Sequence, residues 1–179
     1  PFPKLAARLA ARLRREARES GAVATTLDAA LQERVEQAAR RYLKKYDGDI
    51  TNTAVIVVDT ETGEMAARAG SADFFGRFTG GQVDLCRAPR SPGSALKPFT
   101  YALALEEQRL YPTEQLLDRQ LDYGTYNPAN FSGDFNGLIS ATEALRLSLN
   151  VPAVMLLDRV GTEDLCAFLR RAGFSTLGR

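Results

Sequence analysis

Residues 90–99 read RSPGSALKPF, and the fold turns on what this stretch can form. Ser91, Pro92 and Gly93 are turn chemistry, and the following run to about Gln108 is rich in Ala and Leu, which predicts a helix opening near Ser94. Pro98 removes one backbone donor and is tolerated best within a first turn, so Ser94 is expected at or just before the helix start. Lys97 follows three positions on and shares a helical face with Ser94. Gly93 would let another backbone come close to the serine. A serine hydroxyl holds its proton too tightly to attack at neutral pH and needs an adjacent base. The 179 residues contain no histidine, and only one of the four lysines, Lys97, lies beyond residue 45. A lysine acts as base once burial or a like charge destabilises its ammonium. Ser-x-x-Lys alone is a weak signal, since eight serines and four lysines in this length give on the order of 0.2 chance matches. A helix cap followed by a solvated lysine has the same letters.

A second element strengthens the first. Ser148, Leu149 and Asn150 stand between two predicted helices, Ser140 to Leu147 and Val151 to Val160. A hydroxyl and a carboxamide two residues apart can face one way, the hydroxyl relaying a proton and the amide fixing a carbonyl. The plainer alternative is that Asn150 caps the helix that Pro152 helps open. Taken in this order, about 50 residues apart, Ser94, Lys97, Ser148 and Asn150 form one candidate site.

Working outward, the composition is that of a soluble globular chain able to bury one sizeable core, with 45% hydrophobic and 25% charged residues. A net charge of +1 offers no electrostatic reason to expect nucleic acid. Without histidine, imidazole-based triads and two-histidine zinc motifs are excluded, and Cys86 and Cys166 have no metal-ligand spacing. Neither a metal nor a cofactor is expected, and the cysteines read as small hydrophobes rather than a reactive or paired set. No apolar run approaches a bilayer span, and there is no signal-peptide core. Leu5, Leu9 and Leu13 mark an amphipathic helix over 4–19 with a solvated, arginine-rich outer face. Residues 23–27 read as extended. Asp28 then caps a second helix, carrying Leu31, Val35, Ala39 and Tyr42 and broken by Asp47, Gly48 and Asp49. Thr53 to Asp59, a turn at Thr60 to Gly63, and Glu64 to Gly70 read as a β-hairpin. Alone, such a hairpin has unpaired edges and should recruit a second copy, a swapped element or an irregular covering segment. Residues 71–90 and 111–137 read as loops, the second long enough to be functional or mis-assigned, and a last helix is expected over 162–172.

With these residues in view, RSPGSALKPF over 90–99 and YNPANFSGDFNGLISATEALRLSLNVPAV over 126–154 resemble the transpeptidase domain of class A penicillin-binding proteins. Thr25 to Asp28 with Leu31 and Gln32 is similar to that family's lead-in, and Asp59 to Gly63 to its first hairpin turn. The resemblance covers about residues 22–175. It implies an α+β fold, part of the serine β-lactamase/penicillin-binding-protein transpeptidase-like fold. A helical subdomain and the first β-hairpin are present in it, and the later sheet strands are missing. Residues 1–22 would be a linker helix and 23–179 the N-terminal part of the domain. It further implies acylation of Ser94 by the D-Ala-D-Ala end of peptidoglycan stem peptides. Lys97 would take the proton, Ser148 would pass one to the leaving amine, and Asn150 would orient Lys97 and the peptide. β-Lactams would block the same serine. The implied parent is anchored at the membrane, acts on its periplasmic or extracytoplasmic side and carries an upstream glycosyltransferase domain.

The resemblance has one gap. The family's third motif, Lys-Thr-Gly or Lys-Ser-Gly, is absent, because the four lysines are followed by Leu, Lys, Tyr and Pro. The chain begins abruptly at Pro1 and shows no closing element at Arg179, so a longer parent is expected to supply that strand, with its oxyanion donor. Losing one such donor costs about 100-fold or more in turnover, and these residues alone are expected to be nearly inactive. A serine β-lactamase shares the first two motifs. Its class A members use a glutamate with an asparagine four residues later, whereas Glu163, the only glutamate after Asn150, is followed at that spacing by Ala167. A scaffolding module with an idle serine is the non-enzymatic alternative.

Overall fold

Val55 to Val58 is an unbroken β-branched run, and it pairs antiparallel with Met65 to Ala69 in the computed structural model. The structure describes residues 5–16, 22–46, 50–75, 81–122 and 124–177. The expected breaker at Asp47, Gly48 and Asp49 lies outside them, as do residue 4 and residues 17–19 at the two ends of the first predicted helix. The architecture is α+β, in element order α1 (Ala7–Glu16), α2 (Ala29–Lys45), β1 (Val55–Val58), β2 (Met65–Ala69), α3 (Lys97–Glu106), β3 (Gln115–Asp118), β4 (Gly137–Ser140), α4 (Ala141–Arg146), α5 (Asn150–Val160) and α6 (Thr162–Arg171). The expectation of one core is corrected. The chain divides into two compact units, Pro1–Pro89 and Arg90–Arg179, each built on its own apolar cluster.

In the first unit α2 lays Val35 and Ala39 inward, and Val35 packs with Ala67 and Ala69 of β2. Asp28 caps α2 by accepting from the Leu31 amide at 2.6 Å. The same lead-in covers the outer edge of β2. Thr26 Oγ1 donates to Met65 O at 2.7 Å and the Asp28 amide to Ala66 O at 2.9 Å. Gln32, 2% exposed, then completes the edge with its side-chain amide, accepting from the Arg68 N–H at 2.8 Å and donating to the Arg68 carbonyl at 2.9 Å. One glutamine therefore does the hydrogen bonding of a neighbouring strand residue. Replacing Gln32 by leucine strands two buried backbone groups and should cost about 2–3 kcal/mol. Urea unfolding would read this directly, and an unchanged midpoint would refute the edge-covering role. Among the described residues no strand pairs with the other edge of β1, where Ile56 and Val58 are half exposed. At the hairpin turn Asp59 Oδ1 accepts from the Glu61 and Thr62 amides and from Thr62 Oγ1, the Thr62 amide doing most to hold its carboxyl below the ordinary value. Cys86 and Cys166 are both free thiols, and burial pushes Cys86 up.

The second unit corrects the long-loop reading of 111–137. Gln115–Asp118 and Gly137–Ser140 form a second antiparallel hairpin, with Leu116 opposite Ile139 and Asp118 opposite Gly137. Each strand has only four residues and neither is β-branched throughout, so local pattern could not reveal them. They persist because Leu116, fully buried, packs into the cluster of Tyr101, Leu103, Ala144, Leu156, Val160 and Leu165. What remains between the strands is a connection that returns to the site.

Three helices of this unit end in the same way. After α6, the Gly173 amide bonds Arg170 O and the Phe174 amide bonds Leu169 O, the paired pattern of a Schellman motif, with Gly173 at φ 94°. Gln108 occupies the equivalent place after α3 at φ 57° and Ser148 after α4 at φ 55°. A glycine is the ordinary choice there, because a Cβ in the left-handed region is strained.

Candidate active site

Ser94 lies in a 3-10 turn, Gly93–Leu96, that leads directly into α3. Lys97 opens α3, and Pro98 sits in its first turn, where its missing N–H costs nothing. Ser94 is exposed, and among the described residues its hydroxyl makes no hydrogen bond to Lys97, Ser148 or Asn150. The role expected of Gly93 is corrected: a Cβ there would meet nothing within 4 Å, and what the position requires is its φ of +53°. The glycine turns the chain so that the 3-10 turn can start.

The other three residues converge. Lys97 Nζ lies 3.2 Å from Ser148 Oγ and 2.7 Å from Asn150 Oδ1, and it also bonds the Ser148 carbonyl. Burial lowers the Lys97 ammonium from its ordinary 10.5, although all three acceptors welcome its protons. An ammonium has three N–H donors, and these contacts use all of them. When Nζ gives up a proton, one contact must reverse. Only Ser148 Oγ, the longest of them, can do so, because a hydroxyl donates as well as accepts while the two carbonyl-type oxygens only accept. Chemically, the arrangement can exchange a proton between an amine and a hydroxyl, and an exposed serine, Ser94, lies three residues before the amine.

Two features place these groups. Ser148 is held by the Schellman turn at the end of α4, its amide on Leu145 O at 2.9 Å and that of Leu149 on Ala144 O at 3.0 Å. Its left-handed backbone is the strained residue of the site. Asn150 is the first residue of α5 and not its cap; the N-cap position is Leu149, which offers no side-chain bond. Its side chain is free for Lys97, with Nδ2 donating to Ala129 O at 2.8 Å and so aiming Oδ1 at the amine. Asp118, which accepts from both Asn130 and Asn136 behind Asn150, and these two asparagines carry no signal of a role in the sequence. The available signal is an aspartate closing the short stretch QLLD, too common a pattern to single out.

A cleft lined by Leu96, Lys97, Thr100, Tyr126, Pro128 and Asn150 opens beside the amine, with a volume of about 450 Å³. Among the described residues no group of three or more His, Cys, Asp or Glu could hold a metal ion, and no helix is long and apolar enough to cross a membrane.

Residues 53–178 match the family model of the penicillin binding protein transpeptidase domain. The chain is 41% identical over 155 residues to penicillin-binding protein 1C of Escherichia coli (strain K12), an alignment covering 87% of this chain and 20% of that protein. It is 28% identical over 154 residues to penicillin-binding protein 1F of Bacillus subtilis (strain 168), covering 83% of this chain and 21% of the other. Thus it spans about a fifth of the length of these relatives. In structure it is similar to the penicillin-binding protein PonA1 from Mycobacterium tuberculosis, with a TM-score of 0.71 at 28% identity over 86% of this chain and 38% of that one. The structure of PonA1 in complex with penicillin V gives a TM-score of 0.73 at 24% identity, covering 97% of this chain and 46% of that one, a likeness of fold.

Proposed function

The chain belongs to the penicillin-binding protein transpeptidase family, and on that premise we propose that it supplies the acyl-serine half of a peptidoglycan D,D-transpeptidase. Ser94 is the nucleophile, Lys97 its base, Ser148 the hydroxyl that conducts the proton, and Asn150 the amide that holds Lys97 and the bound stem peptide. The observation that carries this reading is the bonding of Lys97 Nζ to Ser148 and Asn150, 51 and 53 residues away, just after a serine exposed at a helix start. Such a lysine is set up to exchange protons with a hydroxyl rather than to solvate a surface.

Ser94 Oγ bonds the carbonyl carbon of the penultimate D-alanine, and the C–N bond to the terminal D-alanine breaks. The serine proton passes to Lys97, and the relay through Ser148 returns a proton to the departing amine. The free amine of a second stem peptide then attacks the ester carbon, the C–O bond to Ser94 breaks, and the proton lost by the attacking nitrogen passes through Ser148 and Lys97 back to Ser94 Oγ, leaving the cross-link and the free serine. A β-lactam opens by the same attack but keeps its leaving amine tethered, so Ser94 stays blocked. Peptide dipoles at the start of α3 favour the developing negative charge on Ser94 Oγ. In the same proposal, residues 1–22 are a linker helix and 23–179 the N-terminal part of the domain. The protein acts on the extracytoplasmic side of a membrane to which its parent is anchored, and the outer edge of β1 serves self-association.

Fluorescent penicillin tests the proposal. The full natural chain should label stoichiometrically and Ser94→Ala should not label at all; equal labelling of the two would refute the serine's role, and an unlabelled full chain would refute the activity. The 179 residues hold no Lys-Thr-Gly or Lys-Ser-Gly. By themselves they should acylate at least about 100-fold more slowly than the full chain.

A further inference from the structure

Asp118 is fully buried, and among the described residues its hydrogen-bond partners include no cation. Its carboxylate accepts from Asn130 Nδ2 at 2.8 and 2.9 Å and from both the amide and Nδ2 of Asn136 at 2.8 Å. Tyr101, buried nearby, is pushed up to about 12 by burial and by the Asp118 charge, and so remains a neutral neighbour. A buried acid held only by amides is expensive to maintain, which raises the question of what the arrangement accomplishes.

The answer lies on the far side of Asn130. With Nδ2 committed to Asp118 and to Asp134 O at 3.0 Å, its Oδ1 must face the other way, where it accepts from the Asn150 amide at 2.9 Å and the Val151 amide at 3.3 Å. These are the first two N–H groups of α5, a helix whose own N-cap, Leu149, has no side-chain acceptor and whose third residue is Pro152. Asn130 is therefore the cap of α5, delivered from a loop 20 residues upstream. The neighbouring Ala129 carbonyl holds Asn150 Nδ2. One loop thus fixes both the backbone and the side chain of the residue whose Oδ1 meets Lys97 at 2.7 Å.

We propose that Asp118 and Asn130 are positioning residues for acylation: Asp118 orients the Asn130 amide, and Asn130 with Ala129 holds Asn150 against Lys97. The inference rests on the transpeptidase reading above. The relevant perturbation keeps shape and changes polarity. Asn130→Asp retains an acceptor for α5 but sets two carboxylates face to face at Asp118. The reciprocal pair D118N/N130D restores a donor between the two positions, with a carboxylate on the α5 side and a carbonyl oxygen left for Asn136.

The experiment uses the full natural chain and follows fluorescent-penicillin acylation well below each variant's melting transition, normalised to the folded fraction. Non-covalent affinity is separated from the acylation rate constant. Asn130→Asp should lower the rate constant about 100-fold, and D118N/N130D should recover it to within about tenfold of the unsubstituted chain. A purely structural role would lower the melting temperature and leave the rate constant of the folded protein alone; that result overturns the inference. Should Asn130→Asp not fold, the double variant decides, since a folded double variant that fails to acylate also overturns it. If labelling of the unsubstituted chain does not depend on Ser94, the transpeptidase reading falls and takes this inference with it. Ser94-dependent labelling at an unchanged rate in Asn130→Asp removes the inference alone.

Discussion

Substituting Lys97 by methionine is expected to slow acylation of Ser94 about 1,000-fold in the full natural chain, the scale of a lost general base. Methionine keeps an unbranched side chain of similar reach but has no proton to exchange with Ser148 or Ser94. The pH dependence distinguishes a lost base from lost packing. Burial lowers the folded-state value of Lys97 beneath 10.5, so acylation by the unsubstituted chain should rise with pH on a limb below that value, as the neutral amine becomes available. Lys97→Met should lack this limb, and so should Lys97→Arg, whose guanidinium stays charged. The sign for stability follows from the same shift. In the interval between the lowered value and 10.5, the unfolded chain binds more protons than the folded one, so folding stability gains with rising pH there. Lys97→Met removes that gain. A methionine variant that labels at the original rate, with the limb intact, would show that some other group takes the serine proton.

Exchanging Ser148 for glycine should separate stability from activity in opposite directions. Ser148 holds a φ of 55° at the position after α4 where Gly173 serves α6. Relieving a Cβ from the left-handed region is worth about 1 kcal/mol, so Ser148→Gly should raise unfolding free energy by about that amount. The same variant removes the one hydroxyl able to reverse its bond to Lys97 Nζ, and acylation should fall about 100-fold or more. Two companions isolate the causes. Ser148→Ala loses the hydroxyl but keeps the strain, so it should lose acylation with no gain in stability. Gln108→Gly relieves the same strain after α3, away from the relay, and should gain stability at unchanged acylation. If Ser148→Gly were both stabilised and fully active, the strained serine would have no part in the chemistry.

Much of this was readable along the chain. The β-branched run at Val55, the turn letters at Asp59 to Gly63 and the helical spacing after Asp28 announce their elements because each depends on neighbours a few residues away. With histidine absent, the three-residue spacing from Ser94 makes Lys97 the base candidate. Other features were not readable, for a common reason. Gln32 looks like any polar residue on a helix until β2 stands beside it with unpaired groups at Arg68. Strands of four residues, as in β3 and β4, are decided by the core they land on and not by their own propensity. Gly93 serves through its backbone angle and not through close packing, and the two leave the same letter in a sequence.

The sequence by itself determined the inventory: two hydroxyls, one amine and one amide at fixed separations along the chain, no imidazole, and the local signals that start and stop most helices. Tertiary structure alone decided what each of them touches. The bonds from Lys97 to Ser148 and Asn150 close loops of 51 and 53 residues, and the bond from Asn130 to Asn150 one of 20. Such contacts form only when the burial of a shared core outweighs the entropy of closing the loop. That balance belongs to the whole unit, so no window of residues could have carried it.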